Sequence, residues 1–255
     1  MTKQSATLST VERAFEMVHT LHDMEGARVS ELASEMDMAP STAYKYLTTL
    51  QQLGYLVKDG DEYQIGLKFL WPGTYARHCK EGYQFSIEKV KQIAEETGER
   101  AQFVVEENGR GIYLHTEASK STAVQTDRRA GISRHLHSSA SGKAILAHLP
   151  ETRIEEIIET NGLPAETEDT ITNRGELYDE LEKIRESEVA FNDEESVTGL
   201  RAVGVPVKET VDGFVLGSLS VSGPSNRLAG SVYREELPNL LLGYANEIEL
   251  NIRYS

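Results

Sequence analysis

Apolar residues recur at helical spacing through residues 8–24, LSTVERAFEMVHTLHDM, where Val11, Ala14, Phe15, Val18 and Leu21 share one face. Ser9 or Thr10 is placed to cap that helix. RVSELASEMDM reads as a second, short helix capped by Ser30, with Leu32, Ala33 and Met36 inside. A tight turn through Asp37–Ala39 leads to Pro40, which opens a third helix at a position where its missing N–H costs nothing. There Ala43, Leu47, Leu50 and Leu53 face inward, while Ser41, Tyr44, Lys45, Thr48 and Gln52 fall on the opposite side. Gly54 ends the helix, and YLVKDGDEYQI predicts two short strands around an Asp59–Gly60 turn. The order helix, short helix, turn, helix, hairpin is that of a winged helix-turn-helix.

The pattern then changes. Leu67, Leu70 and Trp71 suggest a linking helix, interrupted or kinked at Pro72–Gly73. A helix from about Phe85 to Thr97 carries Ile87, Val90, Ile93 and Ala94 on its packed side. AQFVVEENGRGIYLHTEA predicts a hairpin about Asn108–Gly109. SGKAILAHL, ETRIEEIIET and RGELYDELEKIRES read as helices, and RAVGVPVKETVDGFVLGSLSVSG as two strands joined near Asp212–Gly213. A last helix places Leu240, Leu241, Tyr244, Ile248 and Ile252 in register. Helices mixed with hairpins around one sheet make an α+β domain. We divide the chain into residues 1–75 and 76–255.

Composition narrows the setting. No apolar run approaches the ~18–20 residues of a membrane span, and the N-terminus lacks the apolar core of a secretory signal. A cytoplasmic protein with no membrane partner is expected. Cys79 is the single cysteine, which excludes an intrachain disulfide and a cysteine zinc site. We expect it to be a small buried or half-buried side chain. The formal charge is −15, with acid dispersed between apolar positions rather than gathered in a tail. Arg outnumbers Lys, 15 to 11. Dispersed acid with few lysines fits a halophilic, archaeal source.

STVERAFEMVHTL, VSELASEMDMAPSTAYKYLTTLQQLGYL, SSASGKAILAHLP and NDEESVTGLRAVGVPV followed by LGSLSVSGP occur in this order. Together they resemble the IclR-type transcriptional regulators over nearly the whole chain. The resemblance implies an N-terminal winged-helix DNA-binding domain, a linker helix and a C-terminal ligand-binding domain similar to GAF folds. It also implies a homodimer or dimer of dimers on a palindromic double-stranded operator, controlled by a small organic or sugar acid. His135 is a departure, because many members carry proline at that position.

The third helix would enter the major groove, its N-terminal half toward base edges, with flanking groups on phosphates. The candidates are Ser41, Thr42, Tyr44, Lys45 and Thr48, with Lys58 on the wing and Arg28 before the short helix. Against that, Tyr44 could be partly core, and Ser41 or Thr42 could simply cap the helix. Residues 1–75 hold six Lys and Arg against ten Asp and Glu, a net −4. Counterion release favours basic proteins only at modest salt. In molar salt the Debye length is ~3 Å, and an acidic domain repels DNA less. Specific binding that persists at high KCl is therefore expected.

For the ligand, Ser138, Ser139, Ser141 and Gly142 stand at a helix start, where free N–H groups and the dipole attract anions. Helix capping is the alternative reading of these serines. A phosphate loop is excluded, since His137 and Ala144 occupy positions that need Gly and Ser/Thr. Ser218, Ser220 and Ser222 share one face of a strand. The family resemblance carries effector contacts onto Ala140, Ser141, Asn192, Leu200, Ala202, Ser220 and Ser222. Phe103 or Tyr113 could close the apolar side, or be core. Lys143 reads as a surface or structural residue.

No cofactor is expected and no metal site is assigned, although His115, His135 and His137 together could form one. No Gly-x-Ser-x-Gly or His-Glu-x-x-His motif supports catalysis. The rival from another class is a small-acid-metabolising enzyme whose N-terminal helices only dimerise it. A ligand-independent architectural DNA binder is a third possibility. Phe69, Leu70 and Trp71 are candidates for the dimer seam.

Overall fold

The computed structural model describes residues 7–118, 130–209 and 213–255. The chain forms two compact units, one ending at Arg77 and the other beginning at His78.

In the first unit, helices α1 (Ser9–Asp23), α2 (Val29–Glu35) and α3 (Pro40–Gln52) surround a small core. Met17, Leu21, Leu32, Ala33, Ala43, Leu47, Leu56 and Tyr63 are buried in it. The hairpin forms as expected, with β2 (Leu56–Asp59) against β3 (Glu62–Ile65). A two-residue strand β1 (Ala27–Arg28), unseen in the sequence pattern, pairs with β3 on the other side.

Several local expectations are corrected. Val11 and Phe15 are more than half exposed, and Met17 takes the central buried place. The apolar stripe of α1 begins before the core that it covers. Leu53 is also exposed, because the chain leaves the helical path there and Leu53 becomes the C-cap of α3. The N-caps are Leu8 rather than Ser9 or Thr10, and Arg28 rather than Ser30. The Arg28 backbone N–H donates to the Glu31 carboxylate at 2.8 Å, so the acid three positions on does the capping.

The linker is one 3₁₀ turn, Leu67–Phe69, running into α4 (Leu70–His78). It is not interrupted at Pro72–Gly73. Pro72 lies in the first turn of α4, where a backbone N–H has no intrahelical partner to lose. Cys79 follows α4 and is exposed rather than buried.

The second unit is built on a six-stranded antiparallel sheet in the order β6-β5-β4-β9-β8-β7. Its strands are β4 (Arg100–Glu107), β5 (Arg110–Ala118), β6 (Ser133–Arg134), β7 (Ala190–Asp193), β8 (Leu200–Lys208) and β9 (Val215–Pro224). The predicted turn at Asp212–Gly213 falls partly outside the described residues, which resume at Gly213.

Alternation along the strands gives the sheet two unlike faces. One carries Phe103, Val105, Val203, Val205, Leu219 and Val221 against α5 (Glu81–Thr97) and α9 (Leu237–Tyr254). α5 starts at Glu81 rather than near Phe85, because Tyr83 and Ser86 extend its buried side by one turn. A single π turn, Val232–Glu236, leads into α9. The other face carries Arg100, Gln102, Ser218, Ser220, Ser222, Ala202, Gly204 and Asn192 in mutual register. Helix α6 (Ala140–Leu146) packs there, backed by α7 (Glu151–Asn161) and α8 (Arg174–Ser187) through Ile154, Ile157, Leu177 and Leu181.

Candidate DNA-facing helix and ligand cavity

On α3 the structure places Ser41, Tyr44 and Lys45 at the surface, with Tyr44 53% exposed. They occupy the first turns of the helix, one side outward, while Ala43 and Leu47 lock the other side into the core. Thr42 is half-buried. The Thr48 hydroxyl is buried and has no hydrogen-bond partner among the described residues. Of the expected contact face, Ser41, Tyr44 and Lys45 are therefore displayed and Thr42 and Thr48 are withdrawn. Lys58 is exposed on β2, its ammonium 5.4 Å from the centre of the Tyr63 ring. Arg28 is exposed at the start of α2. Lys68 donates to the Leu53 carbonyl at 2.8 Å and so satisfies an orphan acceptor at the C-terminal end of α3.

In the second unit, α6 lies unusually close to the sheet. A Cβ on Gly204 would stand 2.8 Å from the Ser141 backbone nitrogen, and one on Gly142 would stand 2.1 Å from the Leu136 carbonyl oxygen. Bare glycine at both points lets the start of the helix rest on β8 and on the turn that precedes it. Ser139 is the N-cap and accepts from the Gly142 N–H at 3.1 Å. The expected capping role of the serines is thus real for Ser139.

Beside this helix start is a cavity of ≈ 80 Å³, lined by Arg100, Tyr113, Arg134, Ser138, Ser139 and Leu200, with Glu166, Ser196 and Val197 also on its wall. In a chain of charge −15 this lining carries two guanidiniums against one carboxylate. Arginine presents a planar fork of donors that matches a carboxylate. Burial pushes the Tyr113 phenol above its ordinary pKa, which keeps it a neutral donor and acceptor.

The residues expected to touch a ligand fall into two groups. Ser139 and Leu200 line the cavity. Of the others, Ser222 and Asn192 hold lining residues in place. Ser222 accepts from Arg100 Nε at 3.0 Å. Ser141 is buried in the first turn of α6. Asn192 donates to the Ser138 carbonyl at 2.8 Å and to the Ser196 hydroxyl at 3.0 Å. Ser220 accepts from Gln102 Nε2 at 3.1 Å. Ala140 and Ala202 are buried in the α6 cluster, and Gly142 is pressed on Leu136. Tyr113 belongs to the cavity and Phe103 to the apolar face. The β-bulge between Phe103 and Val104 separates the two.

Lys143 is almost wholly buried, paired with Glu195 at 2.6 Å and with Glu180 at 3.7 Å. Burial lifts the Glu195 carboxyl above the ordinary range, with the Lys143 ammonium pulling the other way. This pair and the Asn192 bonds pin the 192–196 loop to α6. The Tyr233 hydroxyl adds a bond to the Asn192 carbonyl at 2.9 Å.

The histidines do not converge. His115 faces α5, where its Nε2 donates to the Tyr83 carbonyl at 3.1 Å. His137 Nε2 donates to the Pro164 carbonyl at 3.0 Å, which fixes the loop before α6. His135 packs edge-on to His137, with ring centres 5.5 Å apart. Burial lowers the pKa of both His135 and His137. Among the described residues no three His, Cys, Asp or Glu side chains are grouped to hold a metal ion.

The sequence reading missed Arg100, Arg134 and Gln102. On β4, Arg100 and Gln102 are hidden in plain alternation with Ala101 and Phe103, while Arg134 lies on the two-residue strand β6. The pairing of β4 with β9, which sets them beside the serines, leaves no local signal.

Comparison with known proteins settles the relationship. The IclR helix-turn-helix domain matches residues 10–60, and the domain described as bacterial transcriptional regulator IclR C-terminal matches residues 84–250. The chain belongs to the IclR family of transcriptional regulators. It joins a helix-turn-helix DNA-binding domain to a C-terminal effector domain. A curated relative, the "Probable HTH-type transcriptional regulator ArcR" of Halobacterium salinarum, is 33% identical over 249 residues, covering 96% of this chain and 94% of the relative. The crystal structure of the Thermotoga maritima IclR superposes with a TM-score of 0.79 at 29% identity, covering 96% of this chain and 99% of that one. An IclR homologue of Microbacterium hydrocarbonoxydans, solved with 4-hydroxybenzoate, shares the fold with a TM-score of 0.77 at 22% identity, covering 98% and 100%. No helix among the described residues is long and apolar enough to cross a membrane.

Proposed function

We propose that this protein is a cytoplasmic, haloarchaeal regulator of metabolic genes that senses a small organic or sugar acid in the cavity beside α6. The observation that carries the reading is the pair Arg100 and Arg134 facing Ser138, Ser139 and Tyr113 in one hollow. Two guanidiniums and neutral hydroxyl donors suit a carboxylate with polar substituents. The 4-hydroxybenzoate complex of the Microbacterium homologue is in keeping with an acid ligand. The Halobacterium relative and the dispersed acid of the chain support the source.

DNA is held by Ser41, Tyr44 and Lys45 of α3 in the major groove, with Lys58 and Arg28 on flanking phosphates. The operator is palindromic and the protein a homodimer or dimer of dimers. Leu70, Trp71 and Tyr75, 63%, 77% and 75% exposed on α4, form the seam. Phe69 does not belong to it, because its ring lies 4.8 Å from that of Tyr55 in its own unit. The two ligands bias one equilibrium. The protein is not an enzyme, as its curated relatives are regulators.

The test is fluorescence anisotropy on DNA upstream of the protein's own gene, from 0.1 to about 2 M KCl. Binding that persists in molar KCl, with a shallow slope, is expected. A steep loss of affinity would overturn the high-salt reading, and no shift with any organic acid would overturn the sensing role.

A further inference from the structure

Helix α3 and the linker meet in one joint. Each of the three residues that follow α3 is touched by one of the first residues of the linker. The Leu53 carbonyl accepts from Lys68 Nζ at 2.8 Å. Gly54 faces the Lys68 stem, since a Cβ there would stand 3.4 Å from Lys68 Cδ. The Tyr55 carbonyl accepts from the Gly66 N–H at 2.8 Å. A Cβ on Gly66 would stand 2.8 Å from that same carbonyl oxygen, so glycine lets the two chains pass this close. The Tyr55 ring has the Phe69 ring 4.8 Å away, tilted by 57°, and the Lys68 ammonium 5.0 Å from its centre.

The wing hairpin accounts for only part of this. Pairing of β2 with β3 brings Tyr55 and Gly66 together at its base. It does not call for an ammonium on the last carbonyls of α3, nor for an aromatic pair across the exit. The Lys68 charge also sits at the negative end of the α3 dipole. Phe69 runs directly into α4, so what holds Phe69 holds the start of that helix. The joint uses none of the outward side chains of either helix. Ser41, Tyr44 and Lys45 stay exposed on α3, and Leu70, Trp71 and Tyr75 stay exposed on α4.

We infer that Gly66, Lys68 and Phe69 are positioning residues for DNA recognition: they fix α3 on the linker, so that the pairing of two linkers sets the distance between two α3 helices. This rests on the proposed palindromic operator and α4 seam, and adds the part of the chain that measures half-site spacing. A helix already held in place meets the second half-site without an ordering cost, and a loose one pays it. A single half-site engages one α3 and is indifferent to the joint.

The test is fluorescence anisotropy of the full-length protein, at one KCl concentration, on three duplexes. They are the operator footprinted upstream of the protein's own gene, one half of that operator, and the operator with one base pair added at its centre. Wild type should prefer the operator to its half by about 100-fold or more and discriminate against the lengthened one. Gly66→Ala should keep the half-site affinity, lose about tenfold of that preference and accept the lengthened operator nearly as well as the native one. Lys68→Met should act in the same direction by about fivefold, the worth of one hydrogen bond. Lys68→Arg, which keeps the donor and the charge, should behave as wild type. These variants should melt close to wild type, because neither residue belongs to the core cluster of the first unit. If Lys68→Met weakens half-site and operator equally, Lys68 is an ordinary phosphate contact and the inference is wrong. It is also wrong if Gly66→Ala and Lys68→Met both keep the wild-type spacing preference. If wild type gains nothing from the second half-site, the palindromic-operator reading fails and this inference falls with it.

Discussion

The two faces of the six-stranded sheet use the same strands for opposite ends. On β9, Leu219 and Val221 enter the core under α5 and α9, while Ser218, Ser220 and Ser222 stand on the side of α6. All five are buried. The apolar face gains by burial itself, roughly 1.5–3 kcal/mol for a large side chain. The polar face gains nothing from burial and must find a hydrogen bond for each group. It finds most of them, as in Gln102 to Ser220, although Gln102 Oε1 and Thr116 Oγ1 have no partner among the described residues.

The contrast can be broken first at the apolar face. Phe103 is fully buried there, and Phe103→Ala should cost about 3–5 kcal/mol in denaturant unfolding. Ser220→Ala, across the same sheet, should cost only about 1 kcal/mol. Equal losses at the two positions would erase the distinction drawn between the faces.

Arg100→Ala should leave the melting temperature nearly unchanged and weaken acid binding about 10- to 100-fold, read by titration calorimetry. Gly204→Ala tests how α6 is seated. Its new Cβ would lie 2.7 Å from the Ala140 carbonyl carbon, so the helix start must lift. A loss of about 1–3 kcal/mol is expected, together with weaker acid binding.

The smallest effect is a pH dependence. Burial holds the folded-state pKa of His137 below its ordinary 6.5. The unfolded chain then takes up the proton more readily than the folded one, so the stability is complete above about pH 6.5 and is lost as pH falls below it. His137→Gln should flatten that decline in unfolding experiments between pH 7.5 and 5. An unchanged slope would remove His137 from the account.

Much of this molecule was legible in local pattern. The helix order, the wing hairpin and the alternation of β9 follow from period and turn residues, because these are properties of a few adjacent positions. What escaped depends on distant chain. Phe15 fits the helical stripe of Leu21, yet only tertiary packing decides where the core ends. The strand β1 exists because β3 is there to pair with it. Arg100 and Gln102 look like ordinary polar positions until β9 lies beside them. The serines were found, and the structure shows that Ser220 and Ser222 hold Gln102 and Arg100 rather than line the hollow themselves. Residue type announced a polar site, but only the sheet register tells which side chains look into it.

The central claim is that acid bound beside α6 changes the grip of α3 on DNA. The most direct measurement is operator affinity by anisotropy in molar KCl, for wild type and Arg100→Ala, with and without the tightest-binding acid. Wild-type affinity should shift about tenfold or more with acid, while Arg100→Ala should hold the operator as tightly as acid-free wild type and not respond. An equal acid response in both proteins would contradict the account.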